Sequence, residues 1–226
     1  MNKIFSIALD GPAGAGKSSV AEALAEQLGA HYLDTGAMYR TVGLHFLRLG
    51  LIDSPEEMAK RAAEVNIETL FDGDKQIMML DGEDVTAQIR TQEASDSASK
   101  AGAVPEIRAR MVQLQRELSK GVSIIVDGRD ICSVVLPDAT LKLYITATAE
   151  ERALRRYNQL RDKGETVVFH EILDGIVERD YNDSHRETSP LQRAEDAILL
   201  DTTHMTKKQV IAEVIRLLNK ALEEQA

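Results

Sequence analysis

Residues 11 to 18 read Gly11-Pro12-Ala13-Gly14-Ala15-Gly16-Lys17-Ser18, the G-x-x-x-x-G-K-[ST] spacing of a phosphate-binding loop, whose ligand is a nucleoside triphosphate. Each residue type has a reason. Glycines let successive backbone N–H groups turn inward around phosphate oxygens, and a helix starting there points the positive end of its dipole at them. Lys17 supplies a point charge among the terminal phosphates, and the Ser18 hydroxyl is suited to the magnesium that bridges them. Ser19 follows directly and is taken with Gly11 to Ser18 as the triphosphate site. The alternative is a glycine-rich turn that merely joins a strand to a helix.

A phosphate donor needs an acceptor, and the chain offers four groups of charged residues to hold one. Arg40 closes the segment Leu33-Asp34-Thr35-Gly36-Ala37-Met38-Tyr39-Arg40. Asp127-Gly128-Arg129-Asp130 ends an apolar run. An aspartate there can orient magnesium through water, and Arg129 can grip a second phosphate in two-pronged fashion. Arg152, Arg155, Arg156 and Arg161 form a third group, in which steps of three and four residues put the first three on one helical face, able to close over the triphosphate as a lid. Arg179, Asp183 and Arg186 recur at steps of four and three before Pro190. The bland alternatives are a salt-bridged turn for 127–130, a solvated helix face for the third group, and an i,i+4 ion pair for Arg179 and Asp183.

Five short apolar runs, at 4–9, 30–33, 122–126, 141–145 and 197–200, alternate with helical periodicity and predict a mainly parallel sheet with helices on both faces. The phosphate loop, Asp34 to Arg40 and Asp127 to Asp130 then leave strands at their carboxyl ends, where open α/β sheets bind ligands. Helix starts are marked at Ser54-Pro55-Glu56-Glu57, Thr148-Ala149-Glu150-Glu151 and Thr206-Lys207-Lys208-Gln209, each an N-cap with Glu or Gln three residues on. Residues 60–105 change character. Runs at 65–71 and 76–80, flanked by Asp72-Gly73 and Asp81-Gly82, predict an antiparallel hairpin or three-stranded sheet inserted into the parallel core.

The 226 residues are 43% apolar, enough for an ordinary core, and the formal charge of −10 argues against a nucleic-acid polymer as partner. A single cysteine, Cys132, excludes an internal disulfide and reads as a buried thiol of a reducing compartment. No apolar run spans a bilayer and the chain enters its first strand without a cleavable leader, so a cytosolic protein is expected. The five histidines are scattered, and no tightly held metal is expected.

Together these residues resemble the bacterial cytidylate kinases, a family of nucleoside monophosphate kinases with a phosphate-binding loop. The carriers are Asp34-Thr35-Gly36-Ala37-Met38-Tyr39-Arg40, Glu83-Asp84-Val85-Thr86 with Ile89-Arg90-Thr91-Gln92-Glu93, Asp127-Gly128-Arg129-Asp130, and Glu178-Arg179-Asp180 leading to Arg186, in the family's order over nearly the whole chain. The resemblance implies an α/β fold with a P-loop NTPase core and a five-stranded mainly parallel sheet. It divides the chain into core (1–59, 106–150 and 187–226), monophosphate-binding insert (60–105) and helical lid (151–186). It implies transfer of the ATP γ-phosphoryl group to CMP or dCMP with Mg²⁺, and a monomer is the default expectation, because closing motions of such kinases require free edges and no coiled-coil seam is found in the sequence.

The resemblance also distributes roles. Arg40 and Arg129 hold the acceptor phosphate, with Thr35 and Asp127 beside it, and Lys17 bridges toward the donor. Ser99, Arg108, Asp130 and Arg186 line the cytosine, and Arg179 with Asp183 meets the sugar. Arg155 and Arg156 join Lys17, Arg40 and Arg129 in the transfer, and Ser18 with Asp127 serves magnesium. Two rivals stand beside this reading: a kinase for another small acceptor, and a nucleotide-dependent switch, although no Asn-Lys-x-Asp guanine signature is found in the sequence.

Overall fold

The computed structural model describes residues 3–73, 75–185 and 188–224. Along the chain come β1 (Ser6–Asp10), α1 (Lys17–Leu28), β2 (His31–Asp34), α2 (Thr35–Arg48), α3 (Pro55–Lys60), β3 (Ile67–Asp72), β4 (Lys75–Leu80) and β5 (Glu83–Asp84). There follow α4 (Gln92–Gly102), α5 (Pro105–Leu118), β6 (Ile124–Asp127), a π turn at Ile131–Val135, β7 (Leu141–Thr146), α6 (Ala149–Asp162), α7 (Phe169–His185), β8 (Ile198–Asp201) and α8 (Lys207–Glu224).

Five strands form one sheet in the order β2-β6-β1-β7-β8, every pair parallel. This is the predicted sheet, with strand ends shifted by one or two residues. Its two faces follow from side-chain alternation. Ala8, Ile124 and Val126 point into one core with Leu33, Met38, Phe46 and Met111. Ile7, Leu9 and Ile125 point into the other with Val20, Leu24, Leu143 and Val214. Strands buried on both faces carry continuous apolar runs, which is why the sequence reveals them.

The insert forms a three-stranded antiparallel sheet, β3-β4-β5, apart from the main sheet. Beyond the predicted hairpin the insert continues as a helix, Gln92–Gly102, capped where the Thr91 hydroxyl accepts from Ala94 N. Its polar composition hides it. The helix packs so close to α2 that a Cβ on Gly43 would lie 2.7 Å from Ser97 Cβ.

Two predicted helix starts have the expected caps. Thr148 Oγ1 accepts from Glu151 N at 3.3 Å. At α8 the box is reciprocal, Thr206 Oγ1 accepting from Gln209 N at 3.3 Å and Gln209 Oε1 accepting from Thr206 N at 2.8 Å. Ser54 differs, since α3 begins with Pro55 and the Ser54 side chain makes no capping bond. Proline at the first position removes one of the unpaired N–H groups of the first turn and presets the helical φ, so α3 starts without the cap. Cys132 is buried, as expected, and burial pushes its thiol pKa up.

Candidate active site

Parallel strands end together, so the loops after β1, β2 and β6 gather at one sheet edge. The loop after β1 turns through glycines with positive φ, 141° at Gly11, 75° at Gly14 and 89° at Gly16. At Gly11 the reason is also steric, because a Cβ there would overlap the Ile145 carbonyl oxygen on β7. Gly11→Ala is therefore expected to cost about 3 kcal/mol in strain and displaced backbone. For a chain of this size that lowers the melting temperature by about 10 °C. A thermal melt within 2 °C or so of the parent would contradict the fit.

The positive end of α1 has no side-chain cap, leaving its first N–H groups directed at the loop. Lys17, 5% exposed, donates from Nζ to the carbonyl oxygens of Gly11 at 2.8 Å and Pro12 at 2.9 Å. Burial, followed by the charge of Arg129, brings its pKa down from 10.5 to about 7. Ser18 Oγ donates to Asp127 Oδ2 at 2.7 Å, and Tyr32 OH donates to the same oxygen at 3.0 Å. Burial raises the Asp127 pKa, and Lys17 opposes that rise. A serine hydroxyl and a carboxylate in contact are hard oxygen donors of the kind magnesium takes. Ser19 is exposed and its hydroxyl turns back to the Gly16 carbonyl.

The segments that follow β2 and β6 gather beside this loop. After β2 the helix α2 starts at once, because Asp34 Oδ1 accepts from Ala37 N and caps it. Asp34 Oδ2 also holds Arg40 Nη2 at 2.7 Å. Thr35 Oγ1 donates to the Asp127 carbonyl at 2.7 Å, tying the loops after β2 and β6 together. Arg129 Nε donates to Asp183 Oδ2 on α7 at 2.8 Å. Burial alone would lower the Arg129 pKa, but Asp183 holds it above the ordinary value. Arg179 has the opposite fate: partial desolvation in the cleft, then the positive charge of Arg129, lowers its pKa, with Arg40 adding to the effect. The charges of Arg129 and Arg40 thus disfavour the charged form of Arg179, which a multiply charged anion among the three would relieve.

Beyond them Arg108 and Asp130 form a buried ion pair, and Arg108 Nη1 also donates to the Gly102 carbonyl at 3.2 Å. The Arg108 guanidinium lies 5.7 Å from the centre of the Tyr39 ring. Ser99 is exposed on α4, its hydroxyl directed to the Ser95 carbonyl at 3.4 Å rather than at this pair. Arg186 lies outside the described residues.

The family model for cytidylate kinase matches residues 7–220. A cytidylate kinase of Caldicellulosiruptor bescii is 46% identical over 228 residues, covering 99% of both chains. One of Mannheimia succiniciproducens is 42% identical over 224 residues, covering 99% of this chain and 100% of its own. The chain belongs to the cytidylate kinase family. Among solved structures, shikimate kinase from Acinetobacter baumannii aligns over 96% of this chain and 95% of its own, at 17% identity and a TM-score of 0.46. That likeness is too loose to bear on function.

In this cytidylate kinase family member the three leading lid arginines part company. Arg152, 4% exposed, donates to the Ala13 carbonyl of the phosphate loop at 3.0 Å and forms a two-pronged pair with Asp180 on α7, at 3.0 and 2.5 Å. Arg155 donates to the Thr202 carbonyl at 2.6 Å and reaches the Ala15 carbonyl at 3.5 Å. Arg156 is exposed and bonds Gln159 on its own helix, so the shared face expected of Arg152, Arg155 and Arg156 does not form. The 100° step from Arg155 carries it away from the loop.

Sequence reasoning passed over Asp10. Its carboxylate, its pKa raised by burial, accepts from the N–H groups of Ile131 and Cys132, at 2.8 Å each. It thereby fixes the π turn that follows Arg129 and Asp130. A charged residue ending an otherwise apolar strand, immediately before Gly11, was the available signal. Asp180 and Tyr32 carried no such signal, since their partners lie 28 and 95 residues away.

Proposed function

We propose that the chain transfers the γ-phosphoryl group of ATP to CMP or dCMP, giving ADP and CDP or dCDP. The observation that carries this reading is the gathering of cationic side chains beside the phosphate loop at one sheet edge. The charge of Arg129 acts on the buried Lys17 of that loop, and those of Arg129 and Arg40 act on Arg179. Phosphoryl transfer asks chiefly for alignment and neutralisation of spreading negative charge. Gly11 to Ser19 hold the triphosphate and Lys17 reaches its terminal groups. Arg40 and Arg129 grip the acceptor phosphate, with Thr35 and Asp127 supporting the turn between them. Magnesium, when bound through Ser18 and an Asp127-held water, supplies further charge neutralisation. The attacking phosphate oxygen is already ionised, so no dedicated base is assigned.

Asp130 and Arg108, with Arg186, read the base, and Arg179 with Asp183 meets the sugar. Cytosine presents an amine donor beside ring-nitrogen and carbonyl acceptors, which a carboxylate and guanidiniums complement. Uracil reverses two of these positions and leaves buried charges unpaired. A coupled ADP-release assay with ATP and magnesium is therefore expected to turn over CMP at least tenfold faster than UMP at equal concentration. Equal turnover would remove the base-reading roles.

The insert at 60–105 is read as the monophosphate-binding region and 151–186 as the lid, with Arg155, which already reaches the Ala15 carbonyl, completing the donor site on closure. Cytosolic location and a monomer complete the proposal. The first is supported by a buried lone thiol, and among the described residues no helix is long and apolar enough to cross a membrane.

A further inference from the structure

On β4, Gln76, Met78 and Leu80 share one face. Met78 and Leu80 are each 1% exposed, and Gln76 is the half-buried polar residue at the end of their row. A carboxamide on an inward face must find partners, and this one finds the backbone of Asp34. Asp34 N donates to Gln76 Oε1 at 2.7 Å, and Gln76 Nε2 donates to the Asp34 carbonyl at 3.3 Å, while also lying 3.0 Å from Met78 Sδ.

Asp34 ends β2, the outer strand of the five-stranded sheet, bonded on its inner side to β6. The N–H and C=O of one strand residue point to the same side, so the Gln76 amide stands where a neighbouring strand's peptide would stand. At the other end of β2 the rings of His31 and Phe71 lie 4.6 Å apart. The two sheets thus meet along one seam, with Gln76 as its polar end. The same Asp34 caps α2 and holds Arg40, whose Nε is buried without a hydrogen-bond partner among the described residues. The direction of the Arg40 guanidinium therefore depends on where the Asp34 carboxylate sits.

We propose that Gln76 is a positioning residue for the acceptor phosphate, completing the edge of β2 at Asp34 and thereby aiming Arg40. The inference rests on the reading of Arg40 as a ligand of that phosphate. It goes further in placing a residue of the inserted sheet, some 36 positions from Arg40 in sequence, inside the support of the acceptor site.

The test is a double-mutant cycle of Gln76→Met and Arg40→Ala, with KM for CMP and KM for ATP measured separately on each protein. Methionine keeps the length of glutamine beside Met78 and removes both backbone bonds. Gln76→Met is expected to raise the KM for CMP about tenfold and leave the KM for ATP within twofold. In the Arg40→Ala background it is expected to change the KM for CMP by less than twofold, since the group it aims is gone. A merely structural role predicts the same factor in both backgrounds, and that additivity would overturn the inference, as would an unchanged KM for CMP in Gln76→Met alone. An Arg40→Ala protein with a normal KM for CMP would instead overturn the reading of Arg40 itself.

Discussion

Arg129→Ala is expected to lower phosphoryl transfer from ATP to CMP about 10³-fold while leaving ATP affinity within a few-fold of the parent. The expectation comes from where Arg129 sits. It leaves the carboxyl end of β6 and is held by Asp183 at 2.8 Å, opposite the phosphate loop rather than in it. An arginine that meets the acceptor phosphate and the charge spreading toward it acts mainly in the transition state, so its removal falls on kcat more than on nucleotide binding. Arg129→Lys keeps the charge but not the planar fork, and should recover only part of the loss. Asp183, 15% exposed at its side chain, would lose its bond to Arg129, so rates must be normalised to folded protein. Stopped-time assays of CDP together with ATP titrations give both quantities. Near-parental transfer in Arg129→Ala would remove Arg129 from the reaction.

Lys17→Met is expected to do two opposite things. Activity should fall by roughly two to three orders of magnitude, the cost of removing one preorganised charge from a site of this kind. The nucleotide-free protein should nevertheless become more stable at neutral pH, by about 2 kcal/mol, because a buried ammonium is replaced by an apolar chain of similar length. The pH dependence fixes the sign. Burial has moved the Lys17 pKa from 10.5 to about 7 in the folded protein. Below about pH 7 the group is charged whether the chain is folded or not, and the full burial penalty weakens the fold. As pH rises from about 7 to 10.5, the folded protein has shed a proton that the unfolded chain still holds, and the penalty is progressively relieved. The stability advantage of Lys17→Met should therefore be largest below pH 7 and shrink above it. Melts of both proteins from pH 6 to 9.5 test this, and a variant less stable than its parent at pH 6.5 would contradict it.

The donor half of the site was legible in the sequence because its geometry is local. Eight consecutive residues, one strand before them and one helix after, contain the whole phosphate loop. Arg40 and Arg129 were legible for a related reason, each lying just beyond an apolar run whose carboxyl end had to face the ligand. What escaped depends on contacts between distant segments. Asp34 is the local exception, its carboxylate capping α2 three residues on and holding Arg40 six residues on. Gln76 reads as an ordinary polar residue in a hairpin until β4 is laid beside β2. Arg152 looked equivalent to Arg156, and only the folded contacts distinguish them, Arg152 holding Ala13 of the phosphate loop and Asp180 of α7. The helix at Gln92–Gly102 escaped for want of an apolar stripe, because its packing against α2 relies on small residues such as Gly43 and Ser97.

The most direct test of a transfer enzyme is to follow the phosphorus itself. With ATP, magnesium and CMP present, ³¹P NMR should show the γ-phosphorus signal of ATP replaced by the β-phosphorus signal of CDP in equal amount, with little inorganic phosphate. Omitting CMP should leave ATP largely intact over the same time. Inorganic phosphate accumulating at the same rate with and without CMP, and no CDP signal, would show a hydrolysing switch and contradict the assignment of Arg40, Arg129 and the inserted sheet to an acceptor site.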